Sequence, residues 1–144
     1  MEQITNTVLM VRPVAFRMNE ETAVNNFFQE KLQLKNEEIN KKAQEEFDAF
    51  VNKLNSVGVN VVVVNDKKEL DTPDSIFPNN WVSFHQDGTA VVYPMFAENR
   101  RRERRMDFFE ELESRGFKIN EVLDYTKAEE EDVFLEGTGS MILD

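Results

Sequence analysis

Two short stretches of this sequence hold the side chains that could do chemistry. The first is Thr72 to Phe84, TPDSIFPNNWVSF, which carries Asp74 and the amide pair Asn79-Asn80 among Phe77, two prolines and the only tryptophan, Trp81. Polar groups set between Phe77 and Trp81 are partly desolvated and must find partners in the protein or in a ligand. The competing reading is that the prolines and asparagines only form turns. The second stretch is the closing VFLEGTGSMILD, where Glu136 precedes Gly137-Thr138-Gly139. Glycines there let the backbone turn sharply or approach a ligand. Glu136 could then project from a strand end into a cleft, or be a surface turn acid. The stretch is no phosphate loop, because the lysine and the longer glycine pattern are missing.

Other chemistries are bounded by what the sequence contains. Its 144 residues include no cysteine, which removes disulfides, thiolate metal sites and any cysteine nucleophile within them. The single histidine, His85, has no Cys or second His with which to build a metal site, and reads as structural or exposed. A net charge of -11 argues against nonspecific nucleic-acid or anionic-membrane binding. No run is long enough to span a bilayer. The start, MEQITNTVLMV, lacks a basic leader region, so cytoplasm is the default location. At this length the chain reads as one domain with a real core.

The elements that must position these residues alternate between strand and helix patterns. Thr7 to Val11 reads as a strand ending at Arg12-Pro13, with Arg12 either a salt-bridge partner or a ligand-facing cation. Asn19 is a plausible helix N-cap, with Val24, Phe27, Phe28 and Leu32 as the apolar face that follows. A longer helix is predicted through Ile39, Ala43, Phe47, Phe50, Val51 and Leu54, with that face in the core and Gly58 as its stop. Val59 to Val64 then reads as a buried strand of a layered α/β arrangement. Trp81 to Phe84 and Thr89 to Tyr93 are predicted to form a hairpin turned by Asp87-Gly88. Five arginines between Arg100 and Arg105 belong to a helix that Gly116 ends, with Met106, Phe109 and Leu112 as its apolar stripe. Taken alone they are a nucleic-acid hypothesis, but arginines that pair within the fold or hold down neighbouring loops are favoured. Lys118 to Leu123 is a weaker strand, Thr126 to Asp132 an acidic turn or short helix, and Val133 to Leu135 and Met141 to Leu143 are apolar runs.

The segments MVRPVAFRMNEETAVNNFFQ, TPDSIFPNNWVSFHQDG, YPMFAENRRRERR and FLEGTGSMILD, in that order, resemble the amino-terminal half of guanidine-group-modifying enzymes. These are the arginine deiminases, dimethylarginine hydrolases and amidinotransferases, and the likeness is greatest to the citrulline-utilisation hydrolase branch. The resemblance implies an α/β propeller (pentein) of ββαβ modules around a pseudo-fivefold axis. Its central site uses a cysteine that attacks a guanidinium or ureido carbon, a histidine that handles protons, and acids that grip the substrate nitrogens. Carried onto this sequence, Asp74 and Asn80 fall on the substrate-holding acids, Glu136 on the catalytic glutamate, and Phe77 on an apolar wall for the planar group.

Two departures matter. Asn80 stands where the family pattern closes on an aspartate, which suits a neutral ureido group better than a guanidinium and points to citrulline over arginine. Gly137-Thr138-Gly139 replaces the frequent Gly-Gly-Asp. The catalytic cysteine and histidine are unmatched. Residues 1–144 are therefore expected to be the amino-terminal part of a single, partial pentein catalytic domain, inactive by themselves, in a fragment whose uncovered edges encourage a homodimer. The resemblance implies a small guanidino or ureido amino acid as partner, with no metal and no organic cofactor. The rival functions are an amidinotransferase and a noncatalytic amino-acid-binding remnant.

Overall fold

The computed structural model describes residues 5–23 and 35–141. It is mixed α/β with small sheets, and the chain divides into two compact units, Met1–Ile76 and Phe77–Asp144. The expected apolar face of Val24, Phe27, Phe28 and Leu32 lies outside the described residues, as does the apolar run's end at Ile142 and Leu143.

In the first unit, strands β1 (Thr7–Arg12) and β2 (Asn60–Asn65) pair in parallel, Thr7 opposite Asn60 through Arg12 opposite Asn65. Parallel pairing requires a crossover, and helix α1 (Asn36–Ser56) supplies it. Glu37 and Glu38 lie in its first turn and Lys53 in its last, matching the helix dipole. The helix ends as expected, with Gly58 at φ +89° just beyond it. Arg12 proves to be a salt-bridge partner. Its Nε and Nη2 donate to the two carboxylate oxygens of Asp48 on α1, each at 2.8 Å. Asn40 and Gln44 add bonds to the Phe16 N–H and the Pro13 carbonyl.

The apolar face of α1 is not core as expected. No residue of the helix is buried, and Phe50 is 52% exposed. Two strands about 4.8 Å apart are too narrow to cover a 21-residue helix. Ile39, Ala43, Phe47 and Phe50 instead line a groove with Pro13, Phe16 and Ile76. β2, expected buried, is half-covered for the same reason, with Val62 its one buried residue.

The second unit holds an apolar core. β3 (Val82–Phe84) and β4 (Thr89–Val92) form the predicted hairpin, and β5 (Glu121–Asp124) joins β4 in parallel. Gly88 sits at φ +87° in the turn, where the Asp87 side chain also accepts the Thr89 N–H. The arginine segment is two helices rather than one, α2 (Glu98–Arg101) and α3 (Asp107–Ser114). Because α3 starts only at Asp107, Met106 falls outside it and is 55% exposed, and Phe108 joins Phe109 and Leu112 on the buried face. Phe108 packs on Trp81 with ring centroids 5.6 Å apart, and Phe109 meets Phe84 edge-on at 6.0 Å. His85 is exposed, with Nε2 3.0 Å from Ser83 Oγ. Among the described residues no helix is long and apolar enough to cross a membrane.

Candidate functional site

Within the second unit, the pair Asn80 and Glu136 is assembled from segments 56 residues apart. Pro78 opens a 3-10 turn, Pro78–Asn80, and its ring presets the backbone angle that turn needs. The Asn80 N–H closes it onto the Phe77 carbonyl at 3.1 Å, and the Trp81 N–H bonds to Pro78 at 3.0 Å. Trp81, 1% exposed, anchors the turn in the core. On the other side, the Leu135 N–H bonds to the Pro94 carbonyl at 3.0 Å and lays the segment before Glu136 beside the exit from β4.

The two segments then touch through Gly137. Its φ is +38°, and a Cβ there would collide with the Asn79 carbonyl oxygen and stand 2.9 Å from that of Asn80. Only glycine allows this approach, so the sequence EG at this point is a packing requirement. A strand end was expected for Glu136. The residues before it form no strand, and it leads instead into the four-residue helix α4 (Gly137–Ser140).

Asn80 Nδ2 donates to Glu136 Oε2 and the Phe96 N–H donates to Glu136 Oε1, both at 3.4 Å. These are long bonds, so each carboxylate oxygen keeps capacity for a further donor. The contact also orients the Asn80 amide. Its NH₂ side faces the carboxylate, so Oδ1 is the remaining acceptor of the side chain. Both residues are half-buried, and Phe77 and Phe96 are each 44% exposed.

Asp74 belongs to the first unit. It is buried there, and its Oδ2 accepts from Asn19 Nδ2 at 2.6 Å and from Thr22 Oγ1 at 3.5 Å. Its Oδ1 accepts no hydrogen bond among the described residues. Asn19 is fully buried and makes the local bond expected of a cap, accepting the Glu21 N–H on Oδ1, while its amide is spent on Asp74. Nearby, Asp66 accepts from Thr72 Oγ1 at 2.9 Å, and Asp71, at φ 51°, takes two bonds from Arg17. The Asp71 hydrogen bond holds the Arg17 guanidinium pKa above its ordinary value, with the charge of Asp74 contributing least.

Of the four residues expected at a site, Asn80 and Glu136 meet and Phe77 opens the turn that carries Asn80. Four contributors were not expected at a site from the sequence. Asn19 carried a signal only for its capping bond, Phe96 carried none, and Arg100 with Glu103 had the i,i+3 spacing of a helical pair. Among the described residues no group of three or more His, Cys, Asp or Glu side chains converges as a metal site would need. What the arrangement can do is accept hydrogen bonds from a ligand rich in N–H groups and stabilise positive charge.

A family model described as N,N dimethylarginine dimethylhydrolase, eukaryotic, matches residues 12–144. No curated protein and no solved structure matches the chain.

Proposed function

The chain belongs to the N,N dimethylarginine dimethylhydrolase family, and on that premise we propose that it is part of a hydrolase cleaving a C–N bond of a ureido or guanidino amino acid, citrulline foremost. In this reading both units are modules of an α/β propeller, and residues 1–144 are the amino-terminal part of one catalytic domain. In the family's chemistry a cysteine thiolate adds to the central carbon, a histidine protonates the departing nitrogen, and water then cleaves the S–C bond; residues 1–144 contain no cysteine. The present residues hold the substrate. Glu136 accepts from a substrate nitrogen and stabilises the positive charge that develops on attack. Phe77 lines the planar group, and Asp74 is carried over from the family pattern as a further substrate-holding acid.

The observation that carries the substrate preference is the orientation of Asn80. With Nδ2 turned to Glu136, it presents to the ligand the acceptor of an aspartate without its charge. An N–H of either a ureido or a guanidinium group can use that acceptor. A second full carboxylate would favour the cation, and its replacement by an amide favours the neutral ureido group.

Turnover of citrulline, arginine and dimethylarginine by the product of the complete gene tests the proposal. Citrulline should have the largest kcat/KM. Asn80→Asp should move preference towards the cationic substrates by about tenfold or more, the scale of one hydrogen bond to a charged group. Glu136→Gln should lower kcat by about 10²- to 10³-fold. No cysteine in the complete gene product, or no turnover of any of the three, would overturn the hydrolase reading in favour of a binding protein.

A further inference from the structure

We propose that the two consecutive arginines of α2, Arg100 and Arg101, are positioning residues that hold the two sides of the Asn80–Glu136 site. The inference rests on the reading of that site given above. It starts from where their guanidinium groups go, which is to main-chain carbonyls.

Arg100 holds the Asn80 side. Its Nη2 donates to the Phe77 carbonyl at 3.1 Å, the same carbonyl that accepts the Asn80 N–H and closes the 3-10 turn. Any shift of that oxygen therefore shifts the turn and the Asn80 side chain with it. Arg100 is itself fixed by Glu103, with Nε 2.9 Å from Oε1 and Nη2 3.1 Å from Oε2. The two side chains are only 5% and 1% exposed, so water has little access to either charge. A buried ion pair is a poor source of stability but a strong constraint on geometry. The planar fork of arginine can serve Glu103 and Phe77 together, which the single ammonium of lysine cannot do from the same place.

Arg101 holds the Glu136 side. Its Nε donates to the Met95 carbonyl at 2.9 Å and its Nη2 to the Phe96 carbonyl at 3.0 Å. Phe96 is the residue whose N–H bonds to Glu136 Oε1. The Arg101 guanidinium also lies 5.7 Å from the centre of the Phe134 ring, which meets the Phe96 ring edge-on at 5.4 Å. Phe134 is two residues before Glu136. One arginine thus touches both the segment that donates to the glutamate and the segment that carries it. Because the pair are neighbours on one four-residue helix, α2 sets both sides against each other.

The experiment uses the complete gene product, ¹⁵N-labelled, with the Asn80 side-chain amide assigned by its loss in Asn80→Asp. In Arg100→Lys those signals should move, and in Arg101→Lys the Phe96 backbone amide should move. In kinetics on citrulline, Arg100→Lys should lower kcat/KM about 10- to 100-fold, the cost of slight misplacement. Combined with Asn80→Ala it should add little, because both act through one side chain. Losses that multiply, or a folded Arg100→Lys whose Asn80 signals stay in place, would overturn the proposal. If Arg100→Lys does not fold, Arg100→Met with Glu103→Leu removes the Phe77 contact without leaving a lone buried charge, and carries the same expectations. The spectra need no turnover. Shifted Asn80 signals in a protein that cleaves none of the three substrates would uphold the positioning role while sinking the hydrolase reading.

Discussion

The two units bury different things. In the first, the buried set among the described residues is Val11 and Val62 with polar residues and prolines: Asn19, Asp66, Thr72, Asp74, Ser75, Pro13 and Pro73. In the second, Trp81, Val82, Ala90 to Tyr93, Met95, Phe108, Phe109 and Leu112 make a continuous apolar set, and charge enters it only as Arg100 and Glu103. The first unit places its carboxylate, Asp74, by direct side-chain bonds. The second places Glu136 by backbone packing at Gly137 and by donors that arginines hold from behind. A polar network fixes one acid and a hydrophobic core fixes the other, so the two should fail under different insults.

The largest effect expected is on the second unit. Phe108→Ala removes the partner of Trp81 from the core and should cost about 3–5 kcal/mol in denaturant unfolding. A loss below 1 kcal/mol would mean that the apolar set is not what holds the unit. For the first unit, Asn19→Ala leaves the Asp74 carboxylate without its shortest donor and should cost about 1–3 kcal/mol. If it costs nothing, the polar network is ornamental and the contrast collapses.

A smaller effect separates the units by pH. Burial pushes the Glu129 carboxyl up, but the hydrogen bonds from Arg104 and the Met95 N–H, with the charges of Arg104 and Arg101, outweigh it and hold the pKa below its ordinary 4.5. A folded value below the unfolded one stabilises fully above about pH 4.5 and is lost as the pH falls through the folded value. Thermal melts across that window should lose part of their acid dependence in Glu129→Gln. The smallest effect belongs to Arg12, whose bond with Asp48 lowers that acid and raises the arginine but lies at the surface, with side chains 30% and 50% exposed. Arg12→Ala should cost about 0.2–1 kcal/mol and less at high salt.

The strands, the long helix and the Asp87-Gly88 hairpin were legible because period-2 and period-3.6 patterns and a turn dipeptide are local signals. The burial of α1 was not, since how much of a face is covered depends on the width of the sheet it crosses. The break between α2 and α3 was also hidden. Arginine favours helix as well as any residue there, and the break coincides with a long-range contact, Arg104 with Glu129, a partner 25 residues away. At the site, the residue types of Asp74, Asn80 and Glu136 were visible, but the meeting of Asn80 with Glu136 was implied only by the family resemblance and by no local pattern. It depends on an absent side chain, the Cβ that Gly137 lacks, and a missing atom leaves no pattern to count.

Trp81 follows Asn80 directly, is the only indole in the sequence and lies shut against Phe108. The molecule therefore carries its own optical gauge one peptide bond from the candidate site. Within residues 1–144 indole emission has a single source, so a colour change from it reports that neighbourhood. Occupancy by a colourless amino acid could be followed by eye of a fluorimeter, with no dye, tag or coupled reaction.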